Sequence, residues 1–332
     1  VIVAVISEKL FRKLFPPRKL LVVYEEYDPT EFINKLNTRK DKYKVEQKIN
    51  VSAGLDIVEK EIKKYEGVVI YDVHSETRNK ILKFCYGNDI RAYSTTKVSD
   101  ILIRGAESLH IFDTPLLLYR NHGLSFEQRF LKRTIDILVS ALMLLITSPI
   151  FLVASIAIKL YDGGPVFYRQ ARCTMNGKVF HIFKFRSMIV DAEKDGKSQP
   201  AADHDPRITP VGRILRATRL DELPQLIDIL IGNMSLVGPR PERVEHVEKY
   251  TEDLAEFEYR LKVRGGLTGY AQIYGKYNTS PYDKLQLDLI YIQNYSIFLD
   301  IKLILMTIKI MFMKESTEGF TEEQRKDIQE KE

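Results

Sequence analysis

The chain has 332 residues, 45% hydrophobic and 29% charged, with a net charge of +5 and a pI near 8.9. That length suits two domains, and the composition is ordinary for a globular protein. Two cysteines, Cys85 and Cys173, lie far apart without CxxC spacing. This argues against a disulfide framework or a zinc site and points to a reducing compartment. The mild basic excess fits anionic lipid or phosphate partners rather than bulk nucleic acid.

The opening VIVAVISEKLF is a short apolar tail followed by Lys9, Arg12, Lys13, Arg18 and Lys19. The charges come after the apolar run, the wrong order for a signal peptide. Residues 1–18 are expected to be the cytoplasmic end of a membrane helix with a basic linker, and the chain a piece of a longer one. Leu20 to Tyr24 reads as a buried strand. Asp28-Pro29-Thr30 opens a helix with Glu31 in its first turn. Lys44 to Val51 reads as a second strand, and Asp56 to Tyr65 as a helix stopped by Gly67. Val68 to Val73 is a clear strand, Ser75 to Phe84 a helix, and Ile90 to Tyr93 a short strand. This alternation predicts a parallel sheet with helices on its faces. Residues 19–120 therefore read as a Rossmann-like domain. The turn after its first strand, EEYDPTE, has no glycine, so a dinucleotide fingerprint is missing and a structural or regulatory role is expected.

Residues 121–130, with the polar NHGLSFEQ stretch, read as a linker. Leu131 to Leu160 follows, and Ile137 to Ile158 carries no charge for about 22 residues. That run is long enough to cross a bilayer core as a helix. Ser148-Pro149 interrupts it, because proline lacks a donor and clashes with the preceding turn. The hydroxyls of Thr147 and Ser148 can serve the freed carbonyls. A kinked helix could span, or a bent one could enter and leave on one face. The basic flanks Lys132, Arg133 and Lys159 favour the second, a re-entrant helix facing the cytoplasm.

Beyond Asp162-Gly163-Gly164-Pro165, VFYRQAR and KVFHIFKFRSM alternate like strands around Met175-Asn176-Gly177-Lys178, a strong hairpin signal. The pair presents Arg169, Arg172, Lys184 and Arg186. Together these suggest a phosphate-bearing ligand, although Arg169 or Arg172 alone reads as surface solvation. Next, Leu220-Asp221-Glu222-Leu223-Pro224 sets two adjacent carboxylates among leucines, just after Arg216 and Arg219. Neighbouring residues on a helical turn diverge by roughly 100°, so the two acids can take different roles. A carboxylate nucleophile on phosphorus yields an acyl phosphate. Gly238-Pro239-Arg240-Pro241 is a rigid turn that pre-orients one guanidinium. Arg264-Gly265-Gly266-Leu267-Thr268-Gly269 reads as a flexible loop whose amides could meet an anion. Leu299 to Met313 is apolar with interspersed charges, too short to span, and reads as an interfacial helix. Residues 316–332 form a charged tail expected to fray.

Together these segments resemble the bacterial sugar transferase family, the monotopic phosphoglycosyl transferases that act on polyprenyl phosphate. The resemblance rests on KRTID with the Ser148-Pro149 break, GGPVFYRQAR, FKFRSM, RLDELPQL, GNMSLVGPRPE and GLTGYAQIYGKYNTSPYDKLQLDLIYIQNYS. It implies an α/β chain: the Rossmann-like parallel-sheet domain, then a mostly helical, membrane-associated catalytic domain over 161–315 behind the re-entrant helix 131–160. It further implies transfer of a sugar 1-phosphate from a UDP-sugar to undecaprenyl phosphate at the cytoplasmic face of the bacterial inner membrane. Asp221 is then the nucleophile and a ligand of Mg²⁺, with Glu222 as its partner. Arg240, between Pro239 and Pro241, holds phosphate or the uridine end. Lys184, Arg186 and Arg264 cradle phosphate, while Thr268, Gly269 and Gln272 belong to a loop that closes over the donor. Gly265 departs from the proline of many members and implies a looser loop. Membrane lipid is the expected partner, a homodimer is compatible, and nucleic acid is not expected. A membrane-anchored scaffold that binds nucleotide sugars without catalysis is the alternative. A sugar-nucleotide epimerase or dehydratase is disfavoured by the missing fingerprint.

Overall fold

A computed structural model describes residues 16–119, 123–190, 192, 205–275 and 279–311. The readings of the first apolar tail and of the charged C-terminal tail lie outside the described residues. The chain forms two compact units, the first ending at Lys97 and the second beginning at Val98.

The first unit is built on four strands: β1 (Arg18–Tyr24), β2 (Tyr43–Asn50), β3 (Gly67–Tyr71) and β4 (Arg91–Ser94). They form one sheet in the order β2-β1-β3-β4, and every neighbouring pair is parallel. Parallel sheets bury both faces, so a central strand reads as a continuous apolar run. Leu20, Leu21, Val22 and Val23 of β1 are fully buried in this way. Leu21 and Val23 pack with Val58 and Ile62 of α2 (Leu55–Ile62) and with Ile81 and Cys85 of α3 (Ser75–Gly87). Leu20 and Val22 face the other way, against Phe32, Ile33 and Leu36 of α1 (Thr30–Asn37). The expected parallel α/β sheet is present.

The second unit opens with α4 (Val98–Arg104) and a hairpin of β5 (Glu107–Ile111) and β6 (Thr114–Leu118). Ile101 of α4 shares a core with Leu285, Leu289 and Ile292 of α10 (Pro281–Gln293). No strand pair was read here from sequence. The two-residue turn is Phe112-Asp113, without glycine, and Phe112 itself takes the left-handed φ of 56°.

Helix α5 spans Phe126–Asp162, 37 residues, and so starts before the hydrophobic run. Ser125 caps it through a reciprocal pair with Gln128: Gln128 N donates to Ser125 Oγ at 3.2 Å and Ser125 N to Gln128 Oε1 at 2.9 Å. The last turn closes on Gly163 at φ 69°, where Lys159 Nζ donates to the Gly163 carbonyl at 2.6 Å. The helix continues across Pro149. Proline there frees the Leu145 carbonyl. Ser148 Oγ donates to that carbonyl at 2.8 Å, and Thr147 Oγ1 donates to Met143 O at 2.7 Å. The expected hydroxyl compensation is thus in place at Ser148, while Thr147 bonds a carbonyl that the proline does not free.

The polarity of α5 is inside out. Its buried side chains include Lys132, Asp136, Ser140 and Thr147, one stripe at helical spacing. Between Ile137 and Ile156 its exposed side chains are apolar apart from Ser148, with Leu145 at 73%. By length and composition it can cross a membrane. The buried stripe ties the helix to the rest of the unit. Lys132 Nζ pairs with Asp300 Oδ2 at 2.6 Å. Asp136 Oδ1 accepts from Leu236 N at 3.0 Å and from Ser235 Oγ at 3.1 Å, holding β9 (Ser235–Val237). Arg133 donates to the carbonyls of Ile229 and Leu230 at the end of α7 (Gln225–Ile231).

The predicted hairpin forms as β7 (Phe167–Cys173) and β8 (Val179–Phe185), antiparallel, with Tyr168 opposite Lys184. Helix α6 (Pro210–Ala217) leads into the carboxylate pair. After β9 come α8 (Val244–Asp253), a 3₁₀ segment over Ala255–Lys262, β10 (Gly266–Thr268), α9 (Tyr270–Tyr274), α10 and α11 (Ile297–Met311). On α11, Phe298, Ile301, Leu305 and Ile308 form an exposed apolar stripe, while Leu303 is buried.

Candidate active site

Asp221 and Glu222 sit in a 3₁₀ turn, Leu220–Glu222, entered through Arg219 in the left-handed region at φ 57°. A non-glycine residue there stores strain, and such strain gathers at functional sites. The turn is anchored by its leucines. Leu220 and Leu223 pack in one cluster with Phe151, Ala154 and Ile158 of α5 and with Phe185 and Leu215. The leucines on either side of the two acids thus tie the carboxylate turn to the inside-out helix.

Two elements converge on Glu222. Lys184 of β8 donates to Oε1 at 2.8 Å, and Arg240, from the turn after β9, donates to the same oxygen at 3.0 Å. Glu222 is only 15% exposed. Burial pushes its carboxyl up, but Lys184 and Arg240 outweigh that and hold it well below the usual carboxylate range. Asp221 goes the other way. Burial raises its carboxyl, the charge of Glu222 adds to the rise, and Lys184, Arg216 and Arg219 offset only part of it. Two adjacent carboxyls pushed apart in this way are equipped for different roles.

The Pro-Arg-Pro turn is rigid in its backbone as well as its rings. Pro239 O accepts from Gly266 N at 2.8 Å, Pro241 O from Arg172 NH1 at 3.2 Å, and Arg240 O from Arg260 NH2 at 3.0 Å. Arg260 is itself fixed by Asp288, at 2.9 Å from Nε and 2.7 Å from NH2. Sequence reasoning missed Arg260 and Asp288. They lie 28 positions apart in what looks like charged surface, and only the fold brings them together.

Several expected site residues do other work. Arg186 was expected to cradle phosphate. Its guanidinium instead holds both oxygens of Asp162 at the end of α5, NH1 at 2.6 Å, and its Nε donates to Pro165 O at 2.7 Å. That grip pulls the Asp162 carboxyl down to about 2. Arg186 thus pins the exit of the apolar helix rather than the carboxylate pair. Thr268 Oγ1 lies 2.6 Å from Thr307 Oγ1 of α11, and Gln272 Nε2 donates to Leu267 O at 3.2 Å. Gly269 is required by close approach: a Cβ there would meet the Gly238 carbonyl at 2.1 Å. Arg264 is half-buried, near enough to Arg133 for their charges to oppose each other.

The loose loop expected at Gly265 is a pinned one. Gly265 N donates to Thr174 Oγ1 at 3.2 Å, and Ser235 N donates to Gly265 O at 2.8 Å. Its missing side chain makes room for the Pro241 ring, whose Cγ would lie 2.5 Å from a Cβ. Arg172 also departs from the surface reading. It is half-buried, and burial lowers its guanidinium to about 10. Arg169 does lie at the surface, with its guanidinium 4.4 Å from the centre of the Phe183 ring.

No group of three or more His, Cys, Asp or Glu side chains suited to a metal occurs among the described residues. Two adjacent carboxylates are too few for an all-protein cage. They do fit Mg²⁺, which is often held by one or two carboxylates with substrate phosphates and water completing the shell.

The family model described as bacterial sugar transferase matches residues 127–314, more than half the chain. The chain belongs to the bacterial sugar transferase family. This transferase-family chain is 39% identical over 254 residues to the UDP-glucose:undecaprenyl-phosphate glucose-1-phosphate transferase of Klebsiella pneumoniae, covering 75% of this chain and 53% of that protein. A protein of the same description from Escherichia coli strain K12 is 42% identical over 211 residues, covering 62% of this chain and 44% of its own length. The UDP-N-acetylgalactosamine-undecaprenyl-phosphate N-acetylgalactosaminephosphotransferase of Aeromonas hydrophila is 39% identical over 183 residues, covering 54% and 43% respectively. The chain spans about half the length of these relatives. The matched region takes in α5, the hairpin, the carboxylate turn and the Pro-Arg-Pro turn, so the resemblance read from those motifs is borne out.

Proposed function

We propose that the protein transfers a sugar 1-phosphate from a UDP-sugar to undecaprenyl phosphate through a covalent aspartyl intermediate. The observation that carries this reading is the packing of the Asp221-Glu222 turn against the apolar-faced helix α5. A carboxylate there is within reach of a water-soluble donor and of a lipid-borne acceptor. The names of the relatives supply the two substrate classes.

In the first step an Asp221 oxygen attacks the sugar-bearing β-phosphorus. An Asp–O–P bond forms, the bridge to the α-phosphate breaks, and UMP leaves with the electron pair. In the second step an oxygen of undecaprenyl phosphate attacks the same phosphorus, and Asp221 leaves as a carboxylate. Charge gathers on the phosphate oxygens in both steps, and preorganised cations stabilise it. Lys184 and Arg240 are those cations, and Arg264 is a further one. Glu222 fixes both and keeps them aimed. Mg²⁺, held by Asp221 and the donor's own phosphates, supplies charge neutralisation when bound.

In this reading α5 is re-entrant. It and the exposed stripe of α11 sit in the cytoplasmic leaflet of the inner membrane. The loop with Thr268, Gly269 and Gln272 borders the donor, and the first unit is a Rossmann-like structural or regulatory module.

The test is UMP release across a panel of UDP-sugars with undecaprenyl phosphate and magnesium. At least one UDP-hexose is expected to yield UMP. Nucleotide-sugar binding without UMP release would instead support the scaffold reading. A further expectation concerns pH. The carboxyl of Glu222 is depressed in the folded protein, so its charge persists until the pH falls through that low value. Lys184→Met removes one depressing cation, and the acid limb of the pH–rate profile should move to higher pH. Lys184 also offsets part of the rise at Asp221, so an unmoved limb in a folded variant would take Lys184 out of the charge network around both carboxyls.

A further inference from the structure

A narrow crevice opens beside Glu222, lined by Arg172, Ile182, Lys184, Gln225, Arg240, Pro241 and Gly266. The polar side chains along it are weighted toward donors: two guanidiniums, one ammonium and one carboxamide. Two donors on residues that line it are unanswered. Gln225 is 3% exposed, yet its Nε2 has no hydrogen-bond partner, and neither has the buried Nε of Arg172. Buried donors are nearly always paired, so a pair left open in one cleft calls for an acceptor from outside the chain. The backbone here is not slack. Gln225 begins α7 directly after the carboxylate turn, and Arg172 NH1 is already fixed on Pro241 O at 3.2 Å.

We propose that Gln225 and Arg172 form a phosphoryl-oxygen subsite, which receives the phosphate that is not bonded to Asp221. The inference rests on the transfer reading above and specifies its geometry. In a double displacement at one phosphorus the leaving group departs, and the incoming group arrives, on the face opposite Asp221, because each attack is in line. One donor-lined crevice therefore serves both halves of the reaction. It holds the phosphate of UMP as it leaves, and then the phosphate of the polyprenyl acceptor as it enters. Lys184 and Arg240 line the same crevice and reach its occupant from the Glu222 side.

The test uses the full chain in detergent micelles, with UMP, uridine and undecaprenyl phosphate as probes and Gln225→Met and Gln225→Glu as variants. Methionine keeps the volume and removes the donor; glutamate keeps the shape and adds a repelling charge. Thermal melting confirms that each variant is folded. Both variants should bind UMP and undecaprenyl phosphate roughly tenfold or more weakly, glutamate the worse, because a hydrogen bond to a charged oxygen is lost. Uridine, which has no phosphate, should bind as before. Loss for only one of the two phosphates would overturn the shared crevice. Unchanged affinity for both in either folded variant overturns the subsite. Failure of the underlying transfer reading is separable, since the unmodified chain would then release no UMP from any UDP-sugar, whatever these affinities.

Discussion

Asparagine in place of Asp221 is expected to abolish sugar-phosphate transfer, by about 10³-fold or more, since a lost nucleophile leaves only binding and electrostatics. The substitution keeps the size of the side chain and its place in the turn. It removes the charged oxygen that forms the bond to phosphorus. The same change should leave the fold intact or firmer. Burial and the neighbouring Glu222 raise the Asp221 carboxyl. A group raised in this way resists ionisation in the folded state, so its charge at neutral pH works against stability. Asp221→Asn lifts that penalty, and the melting temperature should stay level or rise while UMP release and covalent labelling by donor both vanish. Persistent labelling in the variant would move the nucleophile elsewhere.

The second large effect is expected away from the reacting atoms. Arg260 and Asp288 are 2% and 1% exposed and bond through two nitrogens. Breaking a buried pair by removing one partner strands the other charge and costs about 3–5 kcal/mol. Arg260→Met should lose stability on that scale in chemical denaturation. The double change Arg260→Met with Asp288→Leu should recover most of it, because no charge is then left alone. The single variant also strips the Arg240 carbonyl of its donor. Transfer should fall in Arg260→Met and stay low in the double variant even as stability returns. A loss below about 1 kcal/mol would mean that Asp288 is served by water or by another cation.

Local signals in the sequence carried a good part of this architecture. The apolar run after Val68 and the uncharged stretch after Ile137 announced strand and helix by length alone. Asn176-Gly177 announced the hairpin that presents Lys184. Ser125 and Gln128 also carried a readable signal, the spacing of a capping box, although the stretch around them looked like linker. What stayed hidden depends on distance along the chain. Nothing near Asp162 marks it as the partner of Arg186, and nothing near Gln225 sets it beside Arg172. Pattern reading ranks cations by type and neighbourhood, so Arg186 looked like a ligand and Arg172 like surface. Long-range partners reversed that order, Asp162 taking up Arg186 and Pro241 fixing Arg172, and such partners exist only in the assembled fold.

The hydroxyl of Ser148 bears on how the protein is made. Its bond to the Leu145 carbonyl closes the gap left by Pro149 within a single turn. The carbonyl that Pro149 would strand therefore waits on no residue from later in the chain. Lys132, at the foot of that helix, meets Asp300 only after 168 more residues have been added. Closing the helix at its proline is thus a local event, and docking its foot onto the rest of the unit is a long-range one.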